Sequence, residues 1–227
     1  ILGVIPARSG SKGIKNKNII KINGKHLIYF TIKRALESKL ITDLIVSTDS
    51  TEIKKISENY GAKVPFLRPR YLSTDRSNII DTLIYNIKKF ENNFNYDYVV
   101  LLQPTSPLRE KNEIDQAITK LIKLNFDSLI ALTKLDEPHP IKLKKIKNNK
   151  VISYIKNDLK DNPPRQSLDK VFKPSGNIYI SKRNLIMKNK KILGKRTTFI
   201  NIKKSRFLNI DNKDDLFLAK RLLKKFK

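Results

Sequence analysis

"DYVVLLQPTSPLR", residues 97–109, joins an apolar run to a polar turn that contains two prolines. The run at 97–103 is continuous rather than alternating, which is typical of a strand buried on both faces of a sheet. Proline fixes the backbone angle φ, so the turn after the strand is rigid. The stretch therefore predicts a buried strand that ends in a well-ordered polar loop.

On both sides of this stretch, apolar strands alternate with amphipathic helices. The predicted strands lie at 2–5, 44–50, 62–67, 127–133, 175–181 and 198–202. The predicted helices lie at 26–38, 53–60, 77–90, 111–124 and 213–226. Such alternation predicts an α/β fold with a mainly parallel, doubly wound sheet that helices cover on both faces.

The alternation stops between about residues 135 and 172. Residues 143–155 predict a hairpin around Asn148–Asn149, and 157–166 form a polar loop with two prolines. No linker is long enough to separate two independent domains. We therefore predict one domain over 1–227 with a small excursion at about 135–172.

The composition restricts the classes of function. The chain has 48 Lys and Arg against 21 Asp and Glu, a net charge of +27, and no cysteine. A disulfide, a thiolate nucleophile and a cysteine-ligated zinc are thus excluded. The charge suggests nucleic acid, but the lysines are scattered and no known nucleic-acid module is recognisable, so this class stays an alternative. Without an export signal or membrane span, we expect a cytoplasmic protein.

The loop "ARSGSKGIKNKN", 7–18, directly follows the first predicted strand. It contains Gly10 and Gly13, and its four cations are Arg8, Lys12, Lys15 and Lys17. Glycines let backbone N–H groups approach a phosphate, which cations then neutralise. The loop matches neither the Walker A pattern nor the dinucleotide-binding glycine pattern. A phosphate loop and a solvated basic turn both remain open.

Other polar clusters also follow predicted strands, and ligands bind at that edge of open α/β sheets. In the double-proline turn, Gln103, Thr105 and Ser106 suit a ligand rich in hydroxyl or amide groups, although the turn could simply cap the next helix. Asp211, after the strand-like stretch 207–210, is a candidate metal ligand. Asp214 and Asp215 are better explained by the dipole at a helix N-terminus.

Six motifs together resemble the acylneuraminate cytidylyltransferases over essentially the whole chain. They are "IPARSGSKGIKNKN" (5–18), "RPRYLSTD" (68–75), "LLQPTSPLR" (101–109), "PRQ" (164–166), "PSGNIYI" (174–180) and "NID" (209–211). The resemblance implies a Rossmann-like nucleotidyltransferase fold. It also implies Mg²⁺-dependent transfer of CMP from CTP to a nine-carbon acidic sugar such as N-acetylneuraminic acid, with release of pyrophosphate.

The resemblance also implies roles for matching residues. Those expected to hold the CTP phosphates are Arg8, Lys12, Lys17 and Asn18, the first three as catalytic residues. Arg68 and Ser77 would face the cytidine. Gln103, Thr105 and Ser106 would bind hydroxyl and acyl-amide groups of the sugar, and Arg165 its carboxylate. Lys142 and Tyr179 would complete the pocket, and Asp211 would hold Mg²⁺.

The excursion at about 135–172 matches the dimerisation arm of these enzymes. The resemblance thus implies a homodimer in which Lys142, and with it Arg165, lies close to the partner's site.

Two positions depart from the family pattern. Asn209 replaces the first aspartate of an Asp-x-Asp pair, and Ser175 replaces the asparagine of a Pro-Asn-Gly motif. These changes keep two alternatives open: a different nonulosonic acid as substrate, such as legionaminic acid, or reduced activity with Mg²⁺ held more weakly by Asp211, water and phosphates.

Overall fold

The computed structural model describes residues 1–11, 13–90, 95–155 and 163–224. The strands are β1 (Leu2–Pro6), β2 (Lys21–Ile22), β3 (Lys25–His26), β4 (Asp43–Ser47), β5 (Tyr98–Leu101), β6 (Ser128–Leu135), β7 (Lys144–Lys147), β8 (Lys150–Ser153), β9 (Val171–Lys182) and β10 (Thr197–Asn201). The α-helices are α1 (Leu27–Leu36), α2 (Thr51–Asn59), α3 (Ile79–Phe90), α4 (Glu113–Leu124), α5 (Arg183–Met187) and α6 (Lys213–Leu222). In the described part of the chain, no helix is long and apolar enough to cross a bilayer.

Six strands form the central sheet, in the order β10-β6-β9-β5-β1-β4. β1 is parallel to both β4 and β5, and β10 is parallel to β6. Only β9 runs antiparallel to its two neighbours within this sheet. A parallel return from β6 to β9 would need a crossover, usually a helix, and the described residues between them hold only a hairpin and short 3-10 turns. The predicted α/β class with a mainly parallel sheet is confirmed.

Alternate residues of the central strands face different helix layers. In β5, Val100 packs with residues of α1, α2 and α4. Its neighbours Val99 and Leu101 pack on the opposite face with residues of α3 and α5. Because both faces are covered, the strand is apolar at every position, which explains the continuous run in the sequence. The doubly wound arrangement is therefore confirmed.

Two strand predictions are wrong. Residues 62–67 contain only one parallel bridge, between Lys63 and Ile45, and Pro65 lacks the N–H that a longer ladder would need. Residues 207–210 form an extended loop instead of a strand. This loop is tied to the double-proline turn because the N–H of Ile210 donates to the carbonyl of Thr105 at 2.9 Å.

The excursion contains the predicted hairpin, β7–β8, which forms a separate two-stranded sheet. Asn148 and Asn149 occupy its turn with φ of 50° and 56°, the left-handed conformation that a tight hairpin turn favours. The hairpin is exposed: Ile146 is 79% and Val151 is 68% accessible. Most of the predicted loop 157–166, and the predicted end of the last helix at 226, lie outside the described residues.

Candidate active site

A cleft of about 570 Å³ opens at the carboxyl ends of β1 and β5. This is the sheet edge at which ligands bind in open α/β folds. The cleft brings together eight residues that the sequence predicts for the site: Arg8, Lys17, Asn18, Arg68, Ser77, Gln103, Thr105 and Asp211. Lys12 lies outside the described residues.

The loop after β1 is held in place by both neighbouring segments. Asp49, at the end of β4, accepts hydrogen bonds from the N–H and the hydroxyl of Ser9 at 2.9 and 2.8 Å. The amide of Asn18 donates to the carbonyl of Arg8 at 2.9 Å, so this buried side chain fixes the curvature of the loop. Asp49 was not identified from the sequence as an anchor of the loop. The signal that could have found it is the polar stretch 48–50, which directly follows β4.

Gly13 lies directly against the backbone of Asp211. A Cβ at Gly13 would come within 2.2 Å of the Asp211 carbonyl oxygen, far inside any contact that real side chains make. Only glycine allows this approach. Because Gly13 has no side chain, the basic loop can lie directly against the segment that carries Asp211.

Three cations converge on the cleft. Arg8 forms an ion pair of 2.6 Å with Asp75, and the Lys17 ammonium lies 2.9 Å from Oδ1 of Asp211. Arg68 is only 5% exposed, and its Nε donates to the hydroxyl of Ser73 at 3.0 Å. Within the described residues, its buried Nη2 has no hydrogen-bond partner.

The pKa of Arg68 reflects its buried surroundings. Burial lowers the pKa of its guanidinium, an effect that Asp49 opposes and the nearby Arg8 reinforces. A buried donor without a partner is unfavourable, so a ligand acceptor at this atom would stabilise the site. The cleft is therefore suited to an anionic ligand.

The double-proline turn forms the opposite wall. Gln103 and Thr105 line the cleft, whereas Ser106 is buried behind them and donates to the carbonyl of Ser175 at 3.3 Å. β9 passes close to this turn at Gly176, which has a φ of +75°. A Cβ there would lie 2.7 Å from Oε1 of Gln103, so glycine is needed for both the conformation and the contact.

Two predicted sugar contacts, Tyr179 and Lys142, do not line this cleft, and a third, Arg165, has a side chain that the structure does not describe. Tyr179 lies in β9 opposite Leu101, where it is half-buried against the apolar cluster beneath α3, and burial raises its pKa. Lys142 lies in a 3-10 turn after β6 and does not line the cleft. Arg165 begins another 3-10 turn, and its side chain lies outside what the structure describes. The roles of these residues stay predictions.

The hydroxyl of Ser77 stabilises the loop at 68–77, which lies at the edge of the cleft. This hydroxyl accepts a hydrogen bond from the N–H of Thr74 and donates to the carbonyl of Tyr71, both at 2.9 Å. The loop therefore owes part of its shape to Ser77, which also lines the cleft.

Asp211 and Asn209 are the candidate metal ligands. The Asn209 amide donates to Oδ2 of Asp211 at 2.8 Å, while its own Oδ1 is buried and without a partner among the described residues. No cluster of three or more His, Cys, Asp or Glu that could bind a metal is found in the described ranges. Mg²⁺ commonly takes one or two protein oxygens and completes its shell with phosphates and water. The donor set thus fits Mg²⁺ in company with a bound triphosphate.

The neighbouring acids have the structural role that the sequence predicts. Asn212 and Asp215 form a reciprocal capping box at the start of α6, and Asp214 lies in the same first turn. The carboxylate of Asp215 also accepts from the N–H of Asp211 at 2.9 Å. The helix cap therefore holds the backbone of Asp211 in place.

Comparison with known proteins matches residues 2–222 to the cytidylyltransferase family. The chain belongs to this family. It is 34% identical to a CMP-N,N'-diacetyllegionaminic acid synthase of Legionella pneumophila, covering 98% of this chain and 96% of that one. It is 30% identical to an N-acylneuraminate cytidylyltransferase of Escherichia coli, covering 96% of this chain and 51% of the longer bacterial enzyme.

The fold of this cytidylyltransferase matches that of solved relatives. One solved structure, a CMP:2-keto-3-deoxy-manno-octonic acid synthetase complexed with CTP, aligns over 100% of this chain and 99% of that one, with a TM-score of 0.75 and 16% identity. The resemblance found in the sequence motifs is confirmed at the level of family, fold and enzyme class.

Proposed function

We propose that this cytidylyltransferase transfers CMP from CTP to the anomeric hydroxyl of a nine-carbon acidic sugar and releases pyrophosphate. The observation that carries the proposal is one cleft that joins three cations, Arg8, Lys17 and Arg68, to the neutral side chains of Gln103 and Thr105. Among the described residues, the buried Nη2 of Arg68 has no hydrogen-bond partner. A cationic half suits the triphosphate, and a half with hydroxyl and amide groups suits the sugar.

N-acetylneuraminic acid is the preferred substrate on the motif resemblance. Legionaminic acid is the second candidate, because the relative from Legionella is named for an N,N'-diacetyl derivative of it. Both sugars present a carboxylate, hydroxyl groups and acyl-amide groups, so one polar turn could recognise either.

The reaction requires positioning and charge neutralisation rather than a covalent intermediate. The anomeric oxygen attacks the α-phosphorus in line, the bond to the bridging oxygen breaks, and the hydroxyl proton is released as pyrophosphate departs. Two anions must come together, and fixed cations reduce their repulsion. Arg8, Lys17 and the predicted contact Lys12 would supply this charge around the phosphates.

The remaining contacts divide between the two halves. In the nucleotide half, Asn18 would support the phosphates through the loop it fixes, and Arg68 and Ser77 would border the cytidine. Gln103 and Thr105 would bind the sugar, and Ser106, which the resemblance also implies as a sugar contact, would support them from its buried place behind the cleft wall. Arg165 would pair with its carboxylate, and Lys142 and Tyr179 would complete the pocket, as the motif resemblance implies.

We also propose that Asp211, with the amide oxygen of Asn209, holds Mg²⁺ together with the CTP phosphates. When bound, Mg²⁺ would neutralise part of the triphosphate charge. Lys17 contacts Asp211 at 2.9 Å, so the cation of the loop and the proposed metal ligand lie side by side.

The proposed assembly is a homodimer formed through the arm at about 135–172. Its hairpin exposes large apolar side chains, including Ile146, Val151 and Tyr154, as a docking surface does. In this arrangement Lys142 and Arg165 would approach the cleft of the partner subunit.

An assay of pyrophosphate release tests the proposed reaction. The protein is incubated with CTP, Mg²⁺ and each of several acids: N-acetylneuraminic, legionaminic and pseudaminic acid, with a neutral hexosamine as control. We expect release with one of the acids and none with the neutral sugar. If none of the acids led to pyrophosphate release, the proposed enzyme activity would be contradicted. Micromolar, strongly salt-dependent binding to generic DNA would instead favour the nucleic-acid alternative.

Replacing Asn209 with aspartate tests the proposed metal site. The variant places a second carboxylate beside Asp211, so we expect the Mg²⁺ concentration for half-maximal turnover to fall by about threefold or more, since each added carboxylate raises affinity for a hard cation. Asn201→Asp adds the same charge on the exposed end of β10 and should leave the titration unchanged. If Asn209→Asp and the wild type needed the same Mg²⁺ concentration for half-maximal turnover, residue 209 would not contact the metal.

A further inference from the structure

Arg109 lies buried beneath the double-proline turn, although arginine side chains are usually exposed. Only 1% of its surface is exposed. Its guanidinium donates four hydrogen bonds, and all four acceptors are carbonyl or hydroxyl oxygens. Burial lowers the pKa of Arg109 to about 9, against the opposing effect of the nearby Glu113, so the group stays charged at neutral pH. Such a charge is costly to bury unless its donors are satisfied.

The acceptors of Arg109 lie on both sides of one gap. On the turn, Nη2 donates to the carbonyl of Gln103 at 2.7 Å and Nη1 to that of Ser106 at 2.8 Å. On β9, Nε donates to the carbonyl of Asn177 at 2.8 Å. A fourth bond, from Nη1 to the hydroxyl of Thr31 at 2.8 Å, joins the group to α1.

The spacing between the turn and β9 is tight at Gly176. Gly176, next to Asn177, leaves no room for a Cβ, which would lie 2.7 Å from Oε1 of Gln103 and 2.9 Å from Oγ of Ser106. The side chains of Gln103 and Ser106 therefore take their positions from the distance between turn and strand. Arg109 holds the main-chain carbonyls of those same two residues.

A planar guanidinium is suited to this task. Its donors form a rigid fork, so several carbonyls are fixed at once in distance and in angle. A lysine keeps the charge but offers a single ammonium on a flexible stem, which cannot span the same acceptors. An apolar side chain could fill the space but would leave the carbonyls of Gln103, Ser106 and Asn177 without these donors.

We infer that Arg109 is a positioning residue for the sugar half of the cleft, which fixes Gln103 and Ser106 against β9 without touching the substrate itself. This inference rests on the proposed function, in which Gln103 binds the acidic sugar and the buried Ser106 supports the turn behind it. The nucleotide half is built from the loop after β1 and from residues 68–77, which the guanidinium of Arg109 does not contact among the described residues.

The test compares Arg109→Lys with the wild type in steady-state kinetics, using the acid that the panel assay identifies. We expect the KM for the acid to rise about tenfold or more, the scale of losing hydrogen bonds from a charged group. The KM for CTP should stay within about twofold of wild type, because the hydrogen bonds of Arg109 do not involve the nucleotide half. Equal rises of both KM values, or an unchanged KM for the acid in a folded variant, would overturn the inference.

A second pair of variants keeps the test decisive where Arg109→Lys does not fold. Thr31→Val removes one acceptor of Arg109 and keeps the shape of the side chain. Thr133→Val is the matched control, because it removes an equally buried hydroxyl that bonds the carbonyl of Ile202 instead. We expect only Thr31→Val to raise the KM for the acid, by about twofold to fivefold. The same KM in both variants would contradict a positioning role.

Hydrogen exchange separates this inference from the proposed function. Where the wild type turns over none of the acids, the proposed function fails, but the exchange of the amides in 103–109 can still be measured. We expect faster exchange there in Arg109→Lys than in the wild type, with the amides of β1 and β4 unchanged. Unchanged exchange in the turn would overturn the role of Arg109 by itself.

Discussion

Replacing Arg8 with alanine lowers turnover by at least about a hundredfold, the usual scale for removing one contact that stabilises charge in a transition state. Arg8 lies in the cleft at the end of β1, with its guanidinium 2.6 Å from the carboxylate of Asp75. The alanine variant removes a cation from the proposed triphosphate site and leaves that carboxylate beside the phosphates. Initial rates of pyrophosphate release at saturating CTP and acid measure the effect.

Lys15→Ala is the matched control for Arg8→Ala. Lys15 is an exposed cation of the same loop to which the sequence assigns no contact, so its loss should change turnover by less than about twofold. Equal activity of the two variants would show that the loop is a solvated basic turn. Urea unfolding of both variants checks that a rate difference is not a difference in folding.

We expect the substitution Gly13→Ala to cause a second large loss of turnover. The new Cβ would lie 2.2 Å from the Asp211 carbonyl oxygen, a backbone atom, so the loop or the 211 segment must move. Neither side moves easily: Asp49 holds the loop through Ser9, and the cap of α6 holds Asp211. A shift of about 1 Å between catalytic groups can lower a rate about a hundredfold. We expect a loss of that size in turnover, measured in the same assay.

Gly10→Ala provides the control for Gly13→Ala. A Cβ at Gly10 meets no atom within 4 Å, so the free energy of unfolding should stay unchanged within about 0.5 kcal/mol. Gly13→Ala, in contrast, should lose about 1–3 kcal/mol through the forced contact. Wild-type rates and stability in Gly13→Ala would mean that the loop does not rest on Asp211.

Much of the fold was predictable because local patterns agree with the burial they produce. The apolar run of β5 is continuous since helices cover both faces of the sheet, and the loops after β1 and β5 meet because parallel strands end at one edge. The strand at 62–67 was predicted wrongly because the apolar run was given more weight than Pro65, which has no N–H to donate to a ladder. The antiparallel direction of β9 depends on the path of the arm, which no local pattern shows.

The candidate site was predictable only where residues follow strands directly. Arg8 and Gln103 reach the cleft by that route. Arg109 was missed because arginine is usually exposed, and its burial depends on the Asn177 carbonyl of β9 as well as on carbonyls of its own turn. Tyr179 packs outside the cleft in a single chain because its place in β9 turns it toward the cluster beneath α3. A motif thus indicates which residues matter, whereas their neighbours in space decide how they act.

If the cleft binds a triphosphate as we propose, the ion pairs Arg8–Asp75 and Lys17–Asp211 would make it selective for multivalent anions. A small anion such as chloride that displaces one carboxylate exchanges one ion pair for another and gains little. A triphosphate that contacted both cations would replace two internal pairs in a single binding event, and its second contact would form at high effective concentration. In a protein of net charge +27, these two carboxylates would thus keep common anions from competing with the nucleotide for its cations.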